Sequence, residues 1–226
     1  VTVTLLAYTT LADEAVALLA PHEDTAAPDH LHEVAGRVCY RSFDRPNPKT
    51  AANADYLANV IRQGHESVLA HSSFTFYVTG VSRSLSHEFI RSRWWSFSEV
   101  SQRYVNMEES DTVIPPAFRD EAGVKYDIAE HHRQSIDLYN ALVETAIRDK
   151  GLGRKQAREA ARCVLPGGTS TDLVVSANCR AIRDFLRQRW NEHADREIRE
   201  FAGEVLAIVK THAPNTFQDI ADDPAC

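Results

Sequence analysis

What the chain lacks narrows its function first. Its four cysteines, Cys39, Cys163, Cys179 and Cys226, form no Cys-x-x-Cys pair and no metal-ligand spacing. That argues against a zinc ribbon or a dithiol redox motif and suits reduced thiols in a cytoplasmic protein. No Gly-x-Gly-x-x-Gly or P-loop occurs, so the usual Rossmann and NTPase signatures are missing. His65 and His71 are six residues apart, too far for a zinc-protease helix, and no metal is expected. No apolar run approaches the ~20 residues that span a bilayer, so no membrane partner is expected. "VTVTLLAYTT" lacks a basic region and a small-residue cleavage site, and it reads as a first strand rather than a signal peptide. A basic surplus is missing too. The net charge is −7, so no nucleic-acid polymer is expected and any arginine cluster serves a local anion.

What remains is a 226-residue chain, 43% hydrophobic and 25% charged, enough for one domain over residues 1–226 with a sizeable core. A strand at 1–8 leads to a helix near 11–20, and further helices are expected at about 30–40 and from a Thr50 cap to about 63. "SSFTFYVTG" alternates like a strand. "VSRSLSHEFIRSR" reads as a helix ending near Arg93. The longest helix, about 126–149, carries a stripe of Ile128, His132, Ile136, Tyr139, Val143 and Ala146 and stops before Gly151. "RKQAREAARCVL" is a helix, "TDLVVSANC" a strand, and helices at about 180–190 and 193–212 close the chain. Strands and helices without regular alternation predict an α+β fold, a largely antiparallel sheet flanked by helices.

Two stretches carry candidate chemistry. "RSRWWSFSEVSQRY", residues 91–104, is too polar for a core and too aromatic for an ordinary loop. Arginine forks and serine hydroxyls together suit phosphate or carboxylate. On a continuing helix Glu88, Arg91 and Ser92 share a face; an amphipathic surface helix with ordinary ion pairs is the plainer reading. In "NCRAIRDFLRQRWNEH", Arg189 continues the apolar face of Ile182, Phe185 and Leu186. A guanidinium there needs an anion or dense hydrogen bonding, and an ion pair with Glu192 or Glu197 would also serve. Cys163 sits inside a helix with no histidine near it in sequence, and reads as a small core residue rather than a nucleophile.

Arg91-x-Arg93, seven residues, then Ser101 resembles the signature of the flavin-dependent thymidylate synthases. The likeness extends to "GRVCYRSFDRPNPKT", "GHESVLAHSSFTFYVTGVSRSLSHEFIR", "SFSEVSQRYV", "RKQAREAARCVLP" and "EHADREIRE", from about residue 30 to 218, and is similar to the actinobacterial branch. The resemblance implies a homotetramer on a curved antiparallel sheet, with active sites between subunits. FAD is the implied cofactor, and NADPH and methylenetetrahydrofolate are co-substrates. The implied substrate is a uridine monophosphate, most simply dUMP. Position by position, it places Glu88, Arg91, Glu99, Ser101, Gln102, Arg103 and Arg162 on the nucleotide, and makes Arg189 the catalytic arginine that binds and polarises the pyrimidine. It places Cys39, His65, Ser67, Ser92, Arg93, Glu99, Asn178, Arg180, Asp184 and His193 on the flavin. The chain departs from the family at Ser92, normally histidine; at Ala70-His71, normally Glu-His; and at Gly167, normally asparagine. Enzymes that methylate UMP in nucleoside-antibiotic pathways are an alternative, as is a non-catalytic flavin or nucleotide binder. Ser92 predicts weaker flavin binding, unless Trp94 or Trp95 stacks on a flavin ring.

Overall fold

A computed structural model describes residues 1–15, 25–43 and 47–224; the second half of the helix expected near 11–20 lies outside them. Strands β1 (Thr2–Tyr8), β2 (Ser73–Ser82), β3 (Trp95–Glu99) and β4 (Ser170–Asn178) form an antiparallel sheet in the order β1-β2-β4-β3. The helices are α1 (Ala27–Tyr40), α2 (Asn53–Arg62), α3 (Arg83–Phe89), α4 (Ala122–Arg148), α5 (Arg154–Ala161), α6 (Cys179–Arg189) and α7 (Arg196–His212). The α+β expectation holds. In β2 the alternation buries Phe74, Phe76 and Val78 and exposes Ser73 and Tyr77, as a half-buried strand requires.

Packing divides the chain into two compact units, one built from residues 78–91 and 98–173 with Val1, the other from 2–77, 92–97 and 174–226. In the first, α4 lays its stripe against α5. Tyr139, Met107 and Ala161 are buried, with Leu142, Val143, Val164 and Leu165 packed on them. Gly151, at a φ of +65°, lets the chain turn after α4, while Leu152 N–H donates to the Ala146 carbonyl. In the second unit, Ile182, Phe185 and Leu186 of α6 are buried, as are Ile198, Phe201, Val205 and Val209 of α7. Phe185 meets Phe201 and Trp95 with ring centroids 5.5 Å from each. Gly203 lets the Trp190 ring approach, since a Cβ there would come within 2.7 Å of it.

Three local expectations are corrected. Helix α3 ends at Phe89, not near Arg93. Residues 91–94 form a turn and 95–99 a strand, so Ser92 does not share a helical face with Glu88. Burial of Trp95 draws the chain into extended backbone, and Trp94, at a φ of +68°, makes the reversal. Thr50 closes a 3₁₀ turn (Pro48–Thr50), and α2 starts at Asn53. Cys163 lies exposed on the 3₁₀ turn Arg162–Val164, because α5 stops at Ala161; it is not a core residue.

Candidate functional site

In the first unit Arg83 ties α3 to Glu99 at the end of β3 and to the start of the loop that carries Ser101, Gln102 and Arg103. Ser82 caps α3 by accepting from Leu85 N–H at 3.0 Å, and the Thr169 and Gly167 carbonyls accept from Arg83 and Ser84 N–H at 3.0 and 2.9 Å. With its first turn satisfied, α3 presents Arg83. Its Nη1 lies 2.9 Å from Glu99 Oε2, and its Nη2 donates to the Val100 carbonyl. One guanidinium thus pins both the side chain that ends β3 and the backbone after it. Burial pulls the Arg83 pKa down, the Glu99 charge raises it, and the nearby Arg162 charge lowers it again. Glu99 Oε1 is buried without a hydrogen-bond partner among the described residues, an acceptor facing no donor. Gly167 sits where a Cβ would come 2.5 Å from Ser84 Oγ, so the family's asparagine there would displace that hydroxyl.

The loop after Glu99 folds onto α5. Ser101 accepts from the backbone N–H of Tyr104 and Val105 at 3.1 and 2.9 Å. Arg158 Nη1 donates to the Tyr104 carbonyl at 2.5 Å, and Lys155 Nζ stands 4.6 Å from the Tyr104 ring centroid. Arg103 pairs with Glu159 at 2.7 Å; with side chains 41% and 47% exposed, the pair is weak and is readily exchanged for a stronger anion. Gln102 is half-buried in this loop, Glu88 half-buried on α3, and Arg91 and Arg162 exposed. Neither of those two arginines takes an ion pair with any described residue.

In the second unit, Asn178 ends β4 and caps α6, its Oδ1 accepting from Ala181 N–H at 2.9 Å. Arg180, one residue into the helix, is exposed and makes no ion pair with a described residue, and the same holds for Arg93. Asp184 is exposed and accepts from Gln188 at 2.9 Å. Exposed His193 has its backbone N–H bound by Asn191 Oδ1 at 3.0 Å. His65 and Ser67 are exposed around the 3₁₀ turn Glu66–Ala70, and Cys39 is exposed on α1. Arg189 ends α6 half-buried, with its Nε buried.

The fully buried arginine of this helix is Arg183, which sequence spacing missed. It is 0% exposed, makes two 2.7 Å hydrogen bonds to Asp219 and one of 2.5 Å to the Thr216 carbonyl, and lies 3.7 Å from Glu66. Burial raises the Asp219 pKa, but the Arg183 bonds and charge outweigh it and the net shift is downward. Arg187 holds Glu66 with both Nη atoms, and that bond is the main cause of a lowered Glu66 pKa. So the glutamate between His65 and Ser67 is fixed by α6.

A second buried set was also unread from sequence, and its protons can be placed by elimination. Asp29 accepts from Thr216 Oγ1 at 2.5 Å, so that hydroxyl must accept from His32 Nδ1 at 2.8 Å. His32 Nε2 is then the acceptor for Ser72 Oγ at 2.7 Å, and Ser72 accepts from the Cys179 thiol at 3.0 Å. The chain needs neutral His32 and protonated Cys179. Burial supplies both conditions: with the His71 charge it pushes the His32 pKa down to about 3, and it pushes the Cys179 thiol up to about 12.

The first unit therefore offers an acceptor and several arginines, and the second offers arginines at a turn and at a helix start. Acids outnumber bases in this chain, 32 to 25, yet Arg91, Arg93, Arg162 and Arg180 have no acidic partner among the described residues, and Arg103 has only its exposed pair with Glu159. That is the chemistry of a protein that binds anionic nucleotides. The chain belongs to the family described as "Thymidylate synthase complementing protein", which matches residues 22–215. It is similar to the "Probable flavin-dependent thymidylate synthase" of Mycobacterium phage D29, 47% identical over 98% of this chain and 97% of the relative. The corresponding protein of Mycobacterium phage L5 is 50% identical over 87% and 82%. The "Flavin-dependent thymidylate synthase" of Mycobacterium tuberculosis is 47% identical over 84% and 78%. The donor set of the second unit fits a flavin dinucleotide: Arg93 and Arg180 suit its pyrophosphate, and a capped helix start suits the same charge.

Proposed function

We propose that the chain is a flavin-dependent thymidylate synthase, which methylates C5 of dUMP with methylenetetrahydrofolate as carbon donor, FAD as cofactor and NADPH as reductant. The observation that carries this reading is that Arg91, Arg93, Arg162 and Arg180 take no ion pair with a described residue in an acidic chain, the first two at positions of the family signature. The relatives' names favour dUMP over the UMP alternative.

Arg91, Arg103 and Arg162 neutralise the nucleotide phosphate, with Arg103 released from Glu159. Ser101 and Gln102 supply hydrogen bonds to phosphate and base, Glu88 contacts the nucleotide, and Glu99 Oε1 accepts from a ligand N–H or O–H. Arg189 places its charge beside the uracil carbonyls and stabilises the negative charge that develops on the ring as C5 attacks carbon, which is oxyanion-type catalysis. No thiolate is needed. Ser67, Ser92, Arg93, Asn178, Arg180, Asp184 and His193 hold the flavin, with Glu99, Cys39 and His65 at its edge. The flavin, when bound, supplies hydride chemistry; the protein supplies position and electrostatics.

The chain acts as one domain, a reading supported by the passage of β2, β3 and β4 from one unit into the other. It assembles as a homotetramer. Supporting this, α4 exposes Tyr126, Leu138 and Ile147 at 69%, 50% and 41%. It works in the cytoplasm, consistent with free Cys39, Cys163 and Cys179. The test is the absorbance spectrum of purified protein during FAD titration. Saturable flavin bands are expected, and a protein that FAD never saturates would favour the non-catalytic alternative.

A further inference from the structure

We infer that Trp94 is a stacking platform for a planar ring of the bound flavin dinucleotide. The inference rests on the flavin reading of the second unit. Of the three tryptophans, Trp95 is 9% exposed and packs between Phe76 and Phe185. Trp190 donates its Nε1 hydrogen to the Ala221 carbonyl at 3.0 Å and seats its ring on Gly203. Trp94 is different. Its ring is 80% exposed and has no ring contact or hydrogen bond with a described residue.

Its backbone is also strained. A φ of +68° on a bulky residue is an outlier that glycine would occupy without penalty. The protein thus leaves a large apolar ring in water and holds it in an unfavourable conformation, and no described residue offsets either cost. A ligand face offsets both. The turn itself specifies which ligand, because Arg93, directly before Trp94, is an exposed guanidinium with no acid partner among the described residues, and half-buried Ser92 precedes it. A ring platform beside a phosphate-binding fork suits a molecule that joins planar heterocycles to a pyrophosphate. It also accounts for how the chain tolerates Ser92 where the signature it resembles has a histidine: the stack replaces a lost hydrogen bond. Trp95, the other candidate, is committed to the core.

The test uses flavin-free full-length protein, with FAD, FMN and ADP as separate ligands, in wild type, Trp94→Gly and Trp94→Phe. Trp94→Gly removes the ring and relieves the strain, so the apo protein should melt at the same temperature or higher. FAD should nevertheless bind roughly five- to hundred-fold more weakly, the range for one base-on-aromatic stack. Trp94→Phe should retain affinity within about threefold, a ring substituting for a ring. Quenching of tryptophan emission on FAD addition should shrink in Trp94→Phe although binding persists. Weakening confined to FMN puts isoalloxazine on the ring, and weakening confined to ADP puts adenine there. An unchanged FAD dissociation constant in Trp94→Gly would overturn the inference. A loss of affinity that accompanies a change in oligomeric mass would also overturn it, making Trp94 a contact between copies. Wild type that binds no FAD would sink the flavin reading itself, and the inference with it, before any variant is compared.

Discussion

Arg83 is the residue whose removal separates positioning from binding. Its guanidinium is shared between Glu99 at 2.9 Å and the Val100 carbonyl, and both side chains of the ion pair are 22% exposed. A charge-assisted hydrogen bond is worth about 1.5–3 kcal/mol, and partial solvent access puts this one near the lower end. Arg83→Gln keeps length and one donor but loses the charge and the fork, so a stability loss of about 1.5–2 kcal/mol is expected. For a chain of this size that is roughly 3–8 °C in melting temperature. A functional cost of similar size should accompany it, because Glu99 and the turn at Ser101 are both released: dUMP affinity should fall about tenfold, converting to about 1.4 kcal/mol. Arg83→Lys should recover part of the stability but little of the affinity, since a single ammonium does not reproduce a two-pronged grip. Calorimetric melting and dUMP titration of the three proteins decide it. If Arg83→Gln melts lower but binds and turns over dUMP within twofold of wild type, Arg83 positions nothing and the reasoning fails.

Arg189→Ala should fold yet lose turnover by about 10²–10³, the usual effect of removing a preorganised charge stabiliser; near-normal kcat/KM would refute its role. Alkylation of the native protein followed by mass spectrometry should label exposed Cys39 and Cys163 but spare Cys179, which is buried with its pKa pushed up to about 12. Cys163→Ala should keep most activity, and a covalent uridylate adduct on Cys163 would contradict this. His32, held neutral with a pKa of about 3, binds a proton in the unfolded chain below its ordinary pKa of about 6.5 but not in the folded one, so stability should fall as pH drops from about 6.5 towards 3. That amounts to about 2 kcal/mol by pH 5, read by urea unfolding. His32→Asn should be weaker at neutral pH and lack this part of the slope, and an unchanged slope would show that His32 is not the titrating group.

The parts of the fold written in local periodicity were legible. The stripe from His132 to Ala146 marked α4, and the alternation of Phe74, Phe76 and Val78 marked β2, because one side of each is buried. Residues 90–99 were not, because the switch from α3 to β3 depends on a left-handed tryptophan and on the burial of Trp95 by Phe185, a residue far along the chain. Arg189 is half-buried with its Nε enclosed, in keeping with its place on the apolar face, but the fully buried arginine of the helix is Arg183, which finds its acid at Asp219, thirty-six residues on, and no spacing rule reaches that far. The same holds for Arg83 and Glu99, and for the chain from Asp29 through Thr216, His32 and Ser72 to Cys179, whose members come from separate segments. The candidate ligand residues were legible only through family likeness. The physical mark that four of them share, Arg91, Arg93, Arg162 and Arg180 taking no ion pair with a described residue, becomes visible once the ion pairs are known.

The proposed activity is a one-carbon transfer to C5 of a deoxyuridylate. The direct test supplies the protein with FAD, NADPH and methylenetetrahydrofolate labelled in its one-carbon unit, and offers dUMP and UMP in parallel. Label is expected in thymidylate, dependent on NADPH and on FAD, with dUMP preferred over UMP and product nearly abolished in Arg189→Ala. Label appearing only in the methylated ribonucleotide, or no labelled product from either nucleotide with saturating FAD bound, would contradict it.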